Sequence, residues 1–319
     1  MTAETVTGGA GAAHDWPLVS VIVPTRGRPE LVRESIMGVV SQTYPGDIEC
    51  VVVHDQEQPD KTLEQLGEPG RKVIAATNTR TAGLAGARNA GLSLTHGDYV
   101  ASCDDDDVWH PAKLHRQIGY LLANPRLLAV GSGMRLLLPG GKIACWPGRA
   151  ERISYQMLLR NRVKELHSST LVMRREAFTL VGLYDEQLPG SYAEDYDWVL
   201  RVARAGQIGL VKEPLADIRK NSQSWYAGHA QNTAAGLEYL LAKHPDIATS
   251  PRGHARILGQ LALARSVLGE RRTALRYATK ALTRWPASPH PWIALAHVTT
   301  GVDPRHLRRA ARFLGRGMA

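Results

Sequence analysis

Aromatic side chains are scarce in this sequence: they make up 6% of its 319 residues, and only two are Phe. The core must therefore rest on Leu, Val, Ile and Ala. The 44% hydrophobic content is enough to build one, which excludes a disordered chain. Cysteine is nearly absent. Cys50, Cys103 and Cys145 are odd in number and widely spaced, which excludes a disulfide framework and a zinc-ligand pattern and fits a reducing compartment. No run approaches the roughly 18–20 uninterrupted apolar residues of a membrane span. Residues 1–16 are mostly small, with an acid at Glu4; they lack the basic and apolar regions of a signal peptide and are expected as a disordered leader. From these absences the cytoplasm is the expected address. Acids are scarce at one end only. From Pro251 onward 13 Lys and Arg face Glu270 and Asp303, a net of 13 − 2 = +11, while the whole chain carries +9 and the remainder therefore about −2. Such a basic region suits an anionic membrane surface, at the inner face of the membrane, or a partner protein. Nucleic acid is set aside, because no recognition motif and few interleaved aromatics accompany the charge.

The length allows one large domain with an appendage, or two domains. Leu18–Val23 and Ile48–Val53 are short apolar runs rich in β-branched residues and read as buried strands. Between them Pro29–Ser41 reads as a helix, with Pro at its first position and Glu30 in its first turn. A short helix over Lys61–Leu66, a strand over Lys72–Ala75, a helix over Gly83–Leu94, a strand over Asp98–Ser102 and a helix from Pro111 to Leu122 continue the alternation. Repeated strand–helix units predict an α/β fold, a mostly parallel sheet with helices on both faces. Further on, Leu128–Gly131, Met134–Leu138, Lys142–Cys145 and Ser169–Met173 read as short strands, and Arg174–Val181 and Glu194–Arg204 as helices. Gln207–Val211 and Leu215–Arg219 read as edge strands. The organisation expected is a leader over 1–16, an α/β domain over 17–225 and a basic α-helical region over 226–319. Within the last, Leu258, Leu261, Ala262, Gly269, Ala274, Ala278, Ala281 and Pro286 fall near the positions of a tetratricopeptide unit, so a helical hairpin resembling that repeat is expected over 258–296.

In a parallel sheet, ligands bind beyond the carboxyl ends of the strands. Thr25, Asp55 and Asp104–Asp107 all stand just past expected strand ends. Four adjacent aspartates repel one another unless a cation neutralises them, and Mg²⁺ or Mn²⁺ prefers carboxylate oxygens while sharing substrate phosphates. The alternative is a solvated loop with helix-capping aspartates. Arg88 has the reach for a phosphate, or for a surface ion pair. Glu194, Asp195 and Asp197 open a helix, more carboxylates than capping requires, and a carboxylate in a polar pocket can act as a general base. His54, His110 and His167 are competing bases that read as packing or rim residues.

These segments resemble the family-2 glycosyltransferases, inverting enzymes of the GT-A fold. The resemblance lies in Val19–Thr25, Ser41–Pro45, Val51–Asp55, Gly83–Leu92, Cys103–Pro111, Arg174–Phe178, Val181–Glu186 and Glu194–Trp198, in that order, across roughly residues 17–225. It implies a nucleotide-sugar donor (UDP-, GDP- or dTDP-sugar) and Mn²⁺ or Mg²⁺. Pro24, Thr25 and Asp55 would hold the nucleotide base. Arg88 would approach the phosphates, and Asp104 the ribose. Asp106 would bind the metal in an Asp-X-Asp (DXD) motif, with Asp104 and Asp107 as further contacts and Asp105 as a spacer within the donor-binding run. Asp195 would be the catalytic base, with Glu194, Trp109 and Trp198 on the acceptor side. The acceptor would be a glycan, a lipid-linked sugar or a small molecule. The sequence departs from the family pattern at His54, Arg26 and Gly27. It also has Asn221 about where a histidine is frequent. The segment of processive synthases is absent, so single additions are expected. A nucleotidyltransferase and a non-catalytic helical-repeat adaptor are the competing readings.

Overall fold

A computed structural model describes residues 16–220, 225–304 and 306–307. The leader therefore lies outside the described residues except for Trp16, whose ring packs edge-on against Tyr44 at 5.3 Å and beside His115 at 4.8 Å. Asn221 also lies outside them.

The chain runs β1 (Val19–Thr25), α1 (Pro29–Val40), β2 (Ile48–His54), β3 (Arg71–Thr77), α2 (Leu84–Ser93), β4 (Tyr99–Ser102), β5 (Val108–Trp109) and α3 (Lys113–Leu122). It continues through β6 (Leu127–Leu138), β7 (Lys142–Trp146), β8 (Arg152–Ile153), α4 (Tyr155–Arg160), β9 (Val172–Arg174), α5 (Arg175–Val181), α6 (Glu194–Ala205) and β10 (Gln207–Arg219). Then come the helices α7 (Trp225–Lys243), α8 (Pro251–Val267), α9 (Arg271–Arg284) and α10 (Pro289–Thr300). The expected short helix over Lys61–Leu66 is a 3-10 helix, started by Asp60, whose side chain accepts from the Thr62 amide.

All strands join one sheet of ten, ordered β3-β2-β1-β4-β9-β6-β10-β5, with β7 on β6 and β8 on β10. β1, β2, β3, β4, β6 and β10 run one way, and β5, β7, β8 and β9 the other. The mostly parallel α/β sheet is thus present, with antiparallel β9 inserted beside β4. Seven-residue β1 and β2 are buried throughout. That is why their sequences read as continuous apolar runs rather than alternating ones.

Three expectations are corrected here. Leu128–Gly131 and Met134–Leu138 form one 12-residue strand, β6, because Ser132 and Gly133 pass through the sheet without a turn. Gln207–Val211 and Leu215–Arg219 likewise form one strand, β10, which lies inside the sheet between β6 and β5. Pro214, which cannot donate to the ladder, is accommodated by register shifts on either side of it. The expected strand over Ser169–Met173 begins only at Val172, and Ser168–Thr170 form a 3-10 turn.

The C-terminal helices share the core of the sheet. Leu237 and Leu240 of α7 and Leu258 and Leu261 of α8 belong to one buried cluster with Trp198 and Leu200 of α6. The expected boundary at 225/226 is therefore no break in the hydrophobic core. α6 and α7 are also pinned by charge. Asp197, fully buried, meets Lys243 Nζ at 2.8 Å, His244 Nε2 at 2.8 Å and Arg201 Nη2 at 2.8 Å. Leu258, Leu261, Ala262, Ala274, Ala278 and Ala281, the apolar positions of the expected helical hairpin, are all buried. Among the described residues no helix is long and apolar enough to cross a membrane.

Candidate active site

The parallel strands deliver their carboxyl ends to one cleft of about 720 Å³. Pro24, Thr25, Arg26 and Arg28 line it from the end of β1, Asp55 from β2, Gly83 and Leu84 from the start of α2, and Asp104–Asp107 from β4. His167 and the segment Ile218–Lys220 complete the wall. The expected rim residues Pro24, Thr25, Asp55, Asp104, Asp105, Asp106 and Asp107 are thus brought together.

Asp55 is held from three directions: Asn78 Nδ2 at 2.8 Å, the Gly83 amide at 3.0 Å and Gln56 Nε2 at 3.1 Å. Burial opposes its charge, but these donors prevail and keep the carboxyl below its ordinary range. The next residue, Gln56, adopts φ 58°, a conformation that bulky side chains rarely take, at the turn where the chain leaves β2.

The aspartate run divides into distinct environments. Asp104 accepts from Arg88 Nη2 at 2.8 Å and from Ser168 Oγ at 2.8 Å. Burial works against its charge, but Arg88 and then His167 hold its pKa down. Asp105 accepts from Thr25 Oγ1 at 2.8 Å and from Arg28 Nη1 at 2.8 Å. It is therefore more than the expected spacer: it ties the end of β1 to the loop after β4. Asp106 meets Arg28 Nη1 at 3.1 Å, and burial raises its pKa in spite of that arginine. Asp107 is 1% exposed and accepts from Ser169 Oγ at 2.5 Å and the Arg219 amide at 3.1 Å. Burial, followed by repulsion from Asp104, pushes its carboxyl well above the ordinary range.

Asp104, Asp107 and His167 each offer one ligand atom, and these atoms lie within 4.8 Å of one another. Burial lowers the His167 pKa to about 4, so its imidazole is neutral, the form that binds metals. Two crowded carboxylates, one of them charged with difficulty, beside a neutral imidazole suit a divalent cation. Sequence reasoning placed His167 among rim residues. The signal lay in its neighbours Ser168 and Ser169, which bond Asp104 and Asp107, but those pairings span more than 60 positions.

Arg88 is corrected. Its guanidinium is 1% exposed and does not line the cleft. Nη1 pairs with Glu194, Nη2 with Asp104, and Nε donates to Ser102 Oγ at 3.2 Å. It is a buried bridge from the acidic loop to the start of α6, not a phosphate ligand. Glu194, expected on the acceptor side, is 5% exposed and engaged by that bridge. Burial raises its carboxyl against the pull of Arg88. Trp109 and Trp198 are corrected as well. Trp109 is 3% exposed, with the Lys113 ammonium 3.9 Å from its ring centroid. Trp198 is fully buried, stacked against Phe178 at 4.7 Å, and donates its indole N–H to Gly182 O at 3.1 Å. Both are core residues.

Asp195 sits beside Glu194 in the first turn of α6. Its Oδ2 accepts from Arg162 Nη2 at 2.5 Å and its Oδ1 from the Tyr196 amide at 2.7 Å. Burial disfavours its charge, but Arg162 and Arg88 outweigh that and lower the pKa. It is therefore ionised at neutral pH. The residue before the helix, Ala193, has φ 66°, a left-handed conformation costing an L-residue about 1–2 kcal/mol. Such local strain is found where a fold must aim a side chain. Arg28, Asn78, Arg162, Ser168 and Ser169 were not singled out from the sequence; each finds its partner only in the folded chain.

The mostly parallel sheet with an acidic cleft at its strand ends has the architecture of the GT-A fold. The Glycosyl transferase family 2 model matches residues 20–178. An uncharacterised glycosyltransferase of Rickettsia typhi is 30% identical over 230 residues, covering 70% of this chain and 68% of that one. Another from Haemophilus influenzae is 29% identical over 236 residues, covering 69% and 71%. The chain belongs to the family-2 glycosyltransferases and is a glycosyltransferase enzyme. An Escherichia coli relative, UDP-Glc:alpha-D-GlcNAc-diphosphoundecaprenol beta-1,3-glucosyltransferase WfgD, is 28% identical over 194 residues, covering 61% of this chain and 73% of that one. Among solved structures, Staphylococcus aureus TarS 1-349 with UDP-GlcNAc aligns with a TM-score of 0.57 and 16% identity, over 94% of this chain and 93% of that one. The mannosyltransferase PcManGT of Pyrobaculum calidifontis, with GDP-Man and Mn²⁺, aligns at 0.54 and 18%, over 90% and 88%. At these identities the two structures share the fold.

Proposed function

We propose that this enzyme is an inverting, metal-dependent transferase that moves one sugar from a UDP-, GDP- or dTDP-sugar to an acceptor hydroxyl. The acceptor is a glycan, glycolipid or lipid-linked sugar of cell-envelope synthesis. The observation that carries the reading is the pairing of a cation-ready acidic cleft with an ionised Asp195, whose neighbour Glu194 is tied to Asp104 of the cleft through Arg88. Asp55, beside Pro24 and Thr25, receives the nucleotide base. Asp104, Asp107 and His167 would hold Mn²⁺ or Mg²⁺, with Asp106 at the mouth of the same cleft. The metal, when bound, supplies positive charge for the departing diphosphate. Support comes from the relatives and structural neighbours, whose activities and ligands include nucleotide sugars and, in one case, Mn²⁺.

In the reaction, the Asp195 carboxylate takes the acceptor hydroxyl proton as its oxygen bonds the anomeric carbon. The bond from that carbon to the diphosphate oxygen breaks on the opposite face, and the electron pair leaves with the nucleoside diphosphate. One displacement inverts the anomeric centre. Arg162 keeps Asp195 charged until the proton arrives.

A donor panel tests this reading. Turnover should release a nucleoside diphosphate and depend on added Mn²⁺ or Mg²⁺. Release of pyrophosphate would instead identify a nucleotidyltransferase. Absence of any metal-dependent nucleotide binding in calorimetry would overturn the metal dependence.

A further inference from the structure

The C-terminal helices hold cations that the transfer reaction leaves unused. α9 buries Ala274, Ala278 and Ala281 against its neighbours. At 3.6 residues per turn, Arg272, Arg276 and Lys280 then point the opposite way, with Arg271 and Arg284 on the flanks. All five are exposed, and α9 contains no acid. None of the five joins an ion pair among the described residues. Arg265 of α8, by contrast, is neutralised by Glu238 and Glu270, both at 2.8 Å.

Exposed apolar groups lie on this helix and beyond its carboxyl end. Trp285, directly after α9, is 41% exposed, and Trp292 of α10 is 54% exposed. The Trp292 indole N–H donates to Pro286 O at 2.8 Å, which draws its ring to the loop that carries Trp285. Leu275 is 38% exposed. In a chain with so few aromatics, two solvent-facing indoles close in sequence to an unpaired basic helix are unexpected. After Asp303 the sequence adds Arg305, Arg308, Arg309, Arg312 and Arg316 and no acid.

We infer that the outward face of α9, with Trp285 and Trp292, docks on an anionic phospholipid bilayer. Charge complementarity selects the partner: unpaired Lys and Arg are drawn to anionic headgroups, and indoles settle at the boundary of headgroup and acyl chain. The contact is peripheral, since no described helix can span the bilayer. This inference stands apart from the chemistry of the cleft.

The test is co-sedimentation of the full chain with vesicles of phosphatidylcholine alone, or with about one third phosphatidylglycerol to supply the surface charge. Binding is expected only to the anionic vesicles, falling at high salt, with a blue shift of tryptophan fluorescence. At roughly a factor of five per charge, removing the three charges of Arg272, Arg276 and Lys280 costs about a hundredfold in binding, and the variant combining Arg272→Glu, Arg276→Glu and Lys280→Glu, which reverses them, should lose at least that. Replacing the same residues by Gln should lose less. Trp285→Ser with Trp292→Ser should remove the blue shift. Circular dichroism and turnover on a water-soluble acceptor should stay unchanged in all of these. Equal binding to both vesicle types, no binding at low salt, unaltered binding by the Glu and Gln variants, or binding to RNA in place of vesicles would each overturn the inference.

Discussion

Arg88→Met is the perturbation on which the structure makes its sharpest energetic statement. The guanidinium is 1% exposed and divides its donors between Asp104, Glu194 and Ser102. Met fills much of the same volume, so packing changes little, but two carboxylates lose their counter-charge. The Asp104 side chain is 24% exposed and keeps Ser168, whereas the Glu194 side chain is 7% exposed and has no other side-chain donor among the described residues. Breaking a buried pair costs about 3–5 kcal/mol, against a total stability of about 5–15 kcal/mol. At about 2 °C per kcal/mol for a chain this large, the melting temperature should fall by about 6–10 °C. Glu194→Gln placed on top of Arg88→Met removes the stranded charge and should recover at least half of the loss, a coupling that a double-mutant cycle in urea measures directly. A single variant within about 1 kcal/mol of wild type, or a double variant as unstable as the sum of its parts, would refute the argument.

Other expectations follow from the same geometry. The Asp197 pKa is held near 2 against an ordinary 3.8, burial being overcome by His244, Lys243 and Arg201. A folded pKa below the unfolded one gives stability that is complete above about pH 5 and lost as pH falls from about 4 to about 2, roughly 2 kcal/mol in all. Acid unfolding of Asp197→Asn should lack that slope. Gly86→Ala would put a Cβ 1.8 Å from Thr81 O, a backbone clash that should cost about 1–3 kcal/mol or more in chemical denaturation. Trp198→Ala should cost about 3–5 kcal/mol in the same assay, as emptying a buried aromatic site does. If Trp198 instead met the acceptor, stability would hold and the acceptor KM would rise.

Much of the parallel half of the sheet was legible because β1, β2 and β4 are short apolar runs followed by polar residues, and those polar residues became the rim. β6 and β10 were each read as two strands. Ser132-Gly133 and the stretch around Pro214 look like breaks locally, and only pairing across the sheet carries the strands through them. The two-residue strand β8 and the six-residue helix α4 are too short to show a period. The carboxylates of the cleft were visible as a cluster in sequence. Their partners were not, since Arg88 reaches Glu194 across 106 positions and Asp107 reaches Ser169 across 62. Trp109 and Trp198 misled because proximity to acidic motifs does not report which way a ring points. Burial decided both.

The central claim is that the proton of the acceptor goes to Asp195 while the donor is held elsewhere. Its most direct test is Asp195→Asn, assayed for sugar transfer under single-turnover conditions alongside calorimetry of the bound nucleotide sugar. The account predicts that transfer is lost while donor affinity stays within a few-fold of wild type. Transfer at the wild-type rate, or loss of donor binding together with transfer, would contradict it.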